Sequence, residues 1–213
     1  IIFMQCGPVR HRVDARRQAI ERGIRHRVRE RVTRFELPQI LAAAERPPMP
    51  AIYAALAGDE ARNDLIFDDV LQALERKRSP IVLTERKDHL IYLQNRFTPF
   101  VRNMAVLCGG LSAAERRLCQ SALSVPESEE RLILSTGRYI GEGFDDARLD
   151  TLFLTIPISW KGTLAQYVGR LHRQHAGKAD VLVVDYVDGA VPVLARMAAR
   201  RRAGYRSLGY LLE

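Results

Sequence analysis

Three cysteines in 213 residues, Cys6, Cys108 and Cys119, make no C-x-x-C pair and leave an odd number. That spacing excludes a disulfide framework and a zinc ribbon, and it suits a reduced, cytoplasmic protein. His172 and His175 stand three apart with no Cys, Asp or Glu at ligand spacing, so no metal site is expected. No apolar run approaches the ~18 residues of a membrane helix, and neither a signal peptide nor a membrane partner is expected. Internal repeats are lacking. The opening residue is Ile1 rather than Met, which reads as a piece of something longer. Most informative is a missing motif: G-x-x-x-x-G-K-[ST] occurs nowhere. The "HAGKAD" stretch, 175–180, lacks the earlier Gly and the Ser/Thr. The chain has no phosphate loop of its own to hold a nucleoside triphosphate.

What the chain does have is hydrophobic content of 47%, charged content of 27% and a net charge of +8. Those values describe a soluble globular protein of one α/β domain plus an appendage. The charge is uneven. Residues 10–34 hold ten arginines against Asp14, Glu21 and Glu30. Arg196, Arg200, Arg201, Arg202 and Arg206 form a smaller cluster. Concentrated positive charge favours a polyanion such as nucleic acid, and a solvated basic face is the plainer alternative.

Residues 1–13 read as an extended opening segment, and the Arg-rich residues up to Arg34 as helix or long hairpin. "ERPPMP", Glu45–Pro50, reads as a hinge or linker. Beyond residue 50 apolar runs alternate with amphipathic stretches. Strands are expected at 80–85, 104–108, 131–136, 151–157 and 180–188. Helices are expected at 59–78, 86–97, 112–123, 163–173 and 190–203, with Asp59 as a cap and Ser112 and Glu115 as a capping box. Strands apolar throughout belong in a parallel sheet covered on both faces. The fold class is therefore three-layer α/β with a mostly parallel sheet. In such sheets ligands bind beyond the carboxyl ends of the strands.

Two stretches carry candidate chemistry. In "TLAQYVGRLHR", 163–173, Gln166, Arg170 and Arg173 are spaced i, i+4, i+7 and share a face. Leu164, Val168 and Leu171 repeat the spacing on the opposite face. Gly169 costs the helix about 1 kcal/mol against Ala, which suggests close approach of another group. Two guanidiniums on one stripe can grip phosphates, though an ordinary amphipathic helix would look similar. In "STGRYIGEGFDDARLDTL", 135–152, Gly137, Gly141 and Gly143 follow a strand end, where backbone N–H groups can meet phosphates. Thr136 offers a hydroxyl, and Asp145 a carboxylate that could accept from a ribose. A dinucleotide fingerprint in "GEGFDD" fails, because position 146 is Asp, not Gly. "DEAR", 59–62, opens a helix instead of following a strand, so it reads as an acidic helix N-terminus.

Taken together these stretches resemble a family. "QYVGRLHR" matches motif VI of the superfamily 2 helicases, Q-x-x-G-R-x-x-R. "STGRYIGEGFDDARLDTLFL" is similar to their motif V in its T-G-x-x-x-G-E-G-F-D form, as in relatives of type III restriction Res subunits. "PIVLTERKDHLIYL" resembles the motif IV strand and helix, and "LCGGLSAAERR" the turn and helix that follow. The resemblance spans residues 52–190. It implies a C-terminal RecA-like (P-loop NTPase-type) domain without its own Walker A, residues 51–213, with 1–50 as an Arg-rich connection from a first RecA-like domain. It implies ATP as the nucleotide, with Mg2+ held mainly by that first domain of the same polypeptide. By the resemblance Arg173 is the arginine finger, Arg170 stands beside it, and Gln166 orients them. Gly143, Asp145 and Gly169 lie on the ATP side. Thr84, Arg86, Gly109, Gly110, Thr136, Gly137 and Arg138 face nucleic acid, expected to be DNA. The implied activity is that of a DNA helicase or translocase. A stand-alone nucleic-acid-binding module, and a Rossmann enzyme for a nucleotide or methyl donor, are the rivals.

Overall fold

The apolar runs pair into one seven-stranded parallel sheet. The computed structural model describes residues 24–137, 139, 145–158 and 163–213. Its strands are β1 (Arg25–Val32), β2 (Pro80–Thr84), β3 (Met104–Leu107), β4 (Leu132–Thr136), β5 (Thr151–Leu154), β6 (Asp180–Val187) and β7 (Leu211–Leu212). They lie in the order β3-β4-β2-β5-β6-β1-β7. The helices are α1 (Gln39–Ala42), α2 (Met49–Gly58), α3 (Glu60–Glu75), α4 (Lys87–Phe97), α5 (Ala113–Leu123), α6 (Thr163–Leu171) and α7 (Pro192–Ser207).

Strand side chains alternate between two cores, as a pleat requires. Ile81, Leu83, Ile133, Leu152, Leu154 and Val183 pack with α5, α6 and α7. Val82, Leu134, Phe153 and Val184 face the other way, onto α3 and α4. A third cluster joins Phe35, Ile52 and Leu56 to Ile156, Val191 and Leu194. This is the three-layer RecA-like arrangement.

Two segments depart from the sequence-based expectation. The Arg-rich residues up to Arg34 are not helix or hairpin where they are described. Arg25–Val32 is a strand that pairs with β6 over its whole length, from Arg25 opposite Asp180 to Val32 opposite Val187. Its charges are accommodated by acids on neighbouring elements. Arg27 pairs with Asp180 and with Glu213, Arg31 with Asp69 at 2.9 Å, and Glu30 with Arg202 at 2.6 Å. The second departure is the Pro-rich piece. Pro48 is the N-cap of α2 and Pro50 lies in its first turn. A proline there gives up an N–H that has no helical partner anyway.

Two buried acids, one in β6 and one just past its end, anchor the carboxyl end of that strand. Asp185 accepts two hydrogen bonds from Arg201, both 2.8 Å, and one from the Tyr205 hydroxyl. Asp188 accepts from Arg62 at 2.9 Å and from Thr33 at 2.6 Å. Arg62 and Arg201 are therefore structural cations. No helix among the described residues is long and apolar enough to cross a membrane.

Candidate nucleotide and nucleic-acid sites

Helix α6 forms because Leu164, Tyr167, Val168 and Leu171 bury one stripe against the sheet, each 5% exposed or less. Burying each side chain is worth roughly 1.5–3 kcal/mol. Gln166 and Gly169 are exposed on the other side, with Arg170 partly so. A Cβ at Gly169 would meet nothing within 4 Å in the described chain. The space over it is open, and no group of the described chain accounts for the glycine.

The stripe is shorter than its spacing implies. The helix ends at Leu171, so Arg173 lies in the turn beyond it rather than on the helical face. The guanidinium still reaches the other motif: Arg173 Nη2 lies 3.0 Å from Asp145 Oδ2, both side chains about half exposed. These two residues, with Ala147, His172 and Gln174, line an open cavity of about 570 Å3. The adjacent Asp146 is differently engaged. It accepts from Arg131 at 2.7 Å and from the Arg148 N–H at 3.0 Å. Of the two neighbouring acids, Asp146 fixes the loop and Asp145 faces the cavity.

The turn that carries Arg173 is held by residues outside the motif pattern. Lys178 Nζ donates to the carbonyls of Leu171 (2.9 Å) and Arg173 (2.8 Å), and its partial burial lowers its affinity for a proton. A sequence reading that tests "HAGKAD" as a phosphate loop misses this. The lysine satisfies carbonyls that a helix end leaves without internal partners.

A second group of residues gathers where β3, β4 and β2, which are neighbours, end. Arg86 follows β2, Gly109 and Gly110 follow β3, and Thr136 ends β4, whereas Gly137, next after it, is buried and does not face nucleic acid as expected. Gly109 and Gly110 are exposed, and Gly110 has φ of +85°, which only glycine adopts freely. Arg86 donates to Asp88 at 3.0 Å and leans on the Pro50 carbonyl. Thr84 does not fit the expectation of facing nucleic acid. It is 1% exposed, and its hydroxyl is bonded to His89 at 3.0 Å. Its place at the strand end is right, but the His89 ring behind it draws the side chain inward. Gly143 and Arg138 lie outside the described residues.

Glu85 and Tyr167 were not singled out by sequence. The Tyr167 hydroxyl donates to Glu85 Oε1 at 3.4 Å. A Cβ on Gly137 would stand 2.1 Å from that carboxylate oxygen and 2.2 Å from the hydroxyl. Partial burial raises the affinity of the Glu85 carboxyl for a proton, opposed by the Tyr167 bond. Tyr167 is raised by burial first and by Glu85 second. Residue 137 thus joins the ends of β2 and β4 to α6, and motif V to motif VI.

Comparison with known proteins agrees with this architecture. No family model matches the chain. Over 121 residues, 56% of the chain, it is 27% identical to the transcript termination protein A18 of vaccinia virus (strain Ankara). The transcript termination protein OPG145 of monkeypox virus matches to the same extent. In both cases the match covers 24% of the viral protein, so the chain corresponds to about a quarter of these relatives. Among solved structures, T4 UvsW superposes with a TM-score of 0.68 at 14% identity, over 88% of this chain and 41% of that one. The C-terminal part of the Fun30 ATPase domain gives 0.52 at 12% identity, over 65% and 44%. The chain shares the RecA-like α/β fold of these structures.

Proposed function

We propose that this chain is the second motor domain of an ATP-dependent DNA helicase or translocase. The observation that carries the reading is the meeting of Asp145 and Arg173 at one open cavity, 3.0 Å apart. Both come from the motifs whose resemblance implies ATP chemistry, and they are 28 positions apart in sequence. Arg173 is the finger on the γ-phosphate. Its pairing with Asp145 keeps the guanidinium at the cavity until a phosphate competes for it. Gln166, exposed, and Arg170, partly exposed, lie on the helix before Arg173, outside the lining of the cavity itself. The absence of a phosphate loop means that a first RecA-like domain supplies the rest of the ATP site and the Mg2+ ligands. Turnover by this chain alone is not expected.

The nucleic-acid track is the edge formed by Arg86, Gly109, Gly110 and Thr136, with Arg138 near them in sequence. Exposed glycine N–H groups there can meet phosphates closely. This edge and the cavity are joined by α6, whose Tyr167 bonds Glu85 beside the edge and whose end leads into the turn that carries Arg173. Closing the cleft on ATP would therefore move the track, as in hinge-type domain closure.

The test is ATP turnover, with and without duplex DNA, in the polypeptide that unites this chain with a phosphate-loop domain. Because the viral relatives are transcript termination proteins, an RNA–DNA hybrid is tested beside the duplex. Arg173→Ala should lower kcat by about 10³-fold or more, within the range for arginine fingers, while nucleic-acid affinity stays nearly unchanged. Wild-type turnover in Arg173→Ala would exclude the finger. Binding of DNA with no turnover in the folded wild type would leave a binding module.

A further inference from the structure

We propose that an aromatic clamp built by β1 and the segment before β7 positions Arg173. The proposal rests on the reading of Arg173 as the finger. An arginine two residues past a helix end has no helical hydrogen bonds to fix it, and a finger needs a fixed guanidinium. The residue between the helix end and Arg173 is His172. Its ring stacks on that of His26, with centroids 4.3 Å apart and planes 4° from parallel. Its Nε2 lies 2.8 Å from the Tyr210 hydroxyl. The Tyr210 ring also packs on His26, at 5.0 Å.

The clamp is rigid where it begins. His26 is buried, and it sits in the second position of β1, opposite Val181 of β6. Tyr210 is 3% exposed. Lys178 holds the backbone of the same turn through the carbonyls of Leu171 and Arg173. The turn is thus fixed by its one inward side chain and by its backbone, and Arg173 projects from it into the cavity. None of His26, Lys178 and Tyr210 lies in the helicase-like motifs. His26 belongs to the Arg-rich segment, which gains a role here other than charge: its strand is the seat of the finger.

The test uses the same two-domain polypeptide and measures kcat, KM for ATP and the unfolding midpoint. His172→Ala should lower kcat by about 10²-fold, the scale of a misplacement near 1 Å, with KM for ATP changed by less than about threefold. His26→Ala should behave alike, whereas His26→Phe, which keeps a ring on His172, should restore kcat to within about threefold of wild type. A general structural defect would not be rescued in kcat by a ring alone. Wild-type kcat in His172→Ala and His26→Ala, with Arg173→Ala inactive, would overturn the clamp and leave the finger standing. Full activity in Arg173→Ala would overturn both. Should the alanine variants fail to fold, Tyr210→Phe removes the hydroxyl alone. It should lower kcat by about threefold to tenfold, and unchanged kcat in it would overturn the clamp.

Discussion

A single hydrogen atom decides position 137. The motif marks this glycine as one that faces a ligand, yet its nearest constraints are internal. A methyl group there would press on Glu85 Oε1 and the Tyr167 hydroxyl, at 2.1 and 2.2 Å. Glu85 Oε1 is the far end of a flexible side chain and can swing aside by giving up its bond to Tyr167, whereas the Tyr167 ring is buried in the core and retreats only by disturbing α6. Gly137→Ala should cost about 1–3 kcal/mol, the usual scale of overpacking. Tyr167→Phe removes one of the two oxygens. In the double variant the two costs should therefore add to less than their sum. Urea unfolding of the four chains measures this. Strict additivity, or a Gly137→Ala chain as stable as wild type, would mean that the crowding is relieved without cost. At this scale the sequence marks positions and not what surrounds them. It named Asp145 and Arg173, which meet. It turned Thr84 outward, because a threonine at a strand end carries no mark of the histidine behind it.

At the scale of elements, the hydrogen-bond chain through His89 ties four of them, α2, α3, α4 and β2. The Asn63 amide of α3 donates to the Ala57 carbonyl at 2.9 Å, which leaves its oxygen to accept from His89 Nε2 at 2.9 Å. His89 Nδ1 then accepts from the Thr84 hydroxyl at the end of β2. Both ring nitrogens are used by the neutral imidazole. Burial, and Arg62 next, pull the His89 pKa down to about 4. The unfolded chain binds a proton near pH 6.5, where the folded chain does not. Stability from this group is therefore complete above pH 6.5 and is lost as pH falls toward 4. Between pH 7.5 and 5 the loss should reach about 2 kcal/mol. A His89→Gln chain, less stable at neutral pH, should lack that part of the pH dependence. Parallel slopes of stability against pH in the two chains would refute it. Elements whose cores are apolar, β2 to β6 and α3 to α7, were legible from their periodicity. Helix α2 was not, because prolines that open a helix look like prolines that prevent one. Strand β1 was hidden by its arginines. Their partners, Asp69, Asp180 and Glu213, lie far along the chain, and a sequence read locally cannot supply them.

For the whole molecule, the net charge of +8 overstates what a polyanion would meet. Arg62 and Arg201 are buried on Asp188 and Asp185. Arg27 and Arg31 are held by acids, whereas Arg25, Arg34, Arg116 and Arg117 are exposed. Positive charge in the sequence thus serves two ends, closing the sheet and meeting solvent. Only the second can release counterions from DNA. Each phosphate neutralised contributes roughly −0.9 to the slope of log affinity against log salt on duplex DNA. Arg27→Gln with Arg31→Gln should therefore leave that slope unchanged and lower the unfolding midpoint, since Asp69 and Glu213 lose their cationic partners and Asp180 keeps Arg78 alone. Arg116→Gln with Arg117→Gln, on the helix that follows Gly109 and Gly110, should reduce the slope by between about 1 and 2 with little change in the midpoint. Fluorescence anisotropy across a salt series, with thermal unfolding of the same samples, separates the two pairs. A reduced slope for the first pair would show that β1 meets DNA despite its ion pairs. An unchanged slope for the second would move the nucleic-acid track away from the carboxyl end of β3.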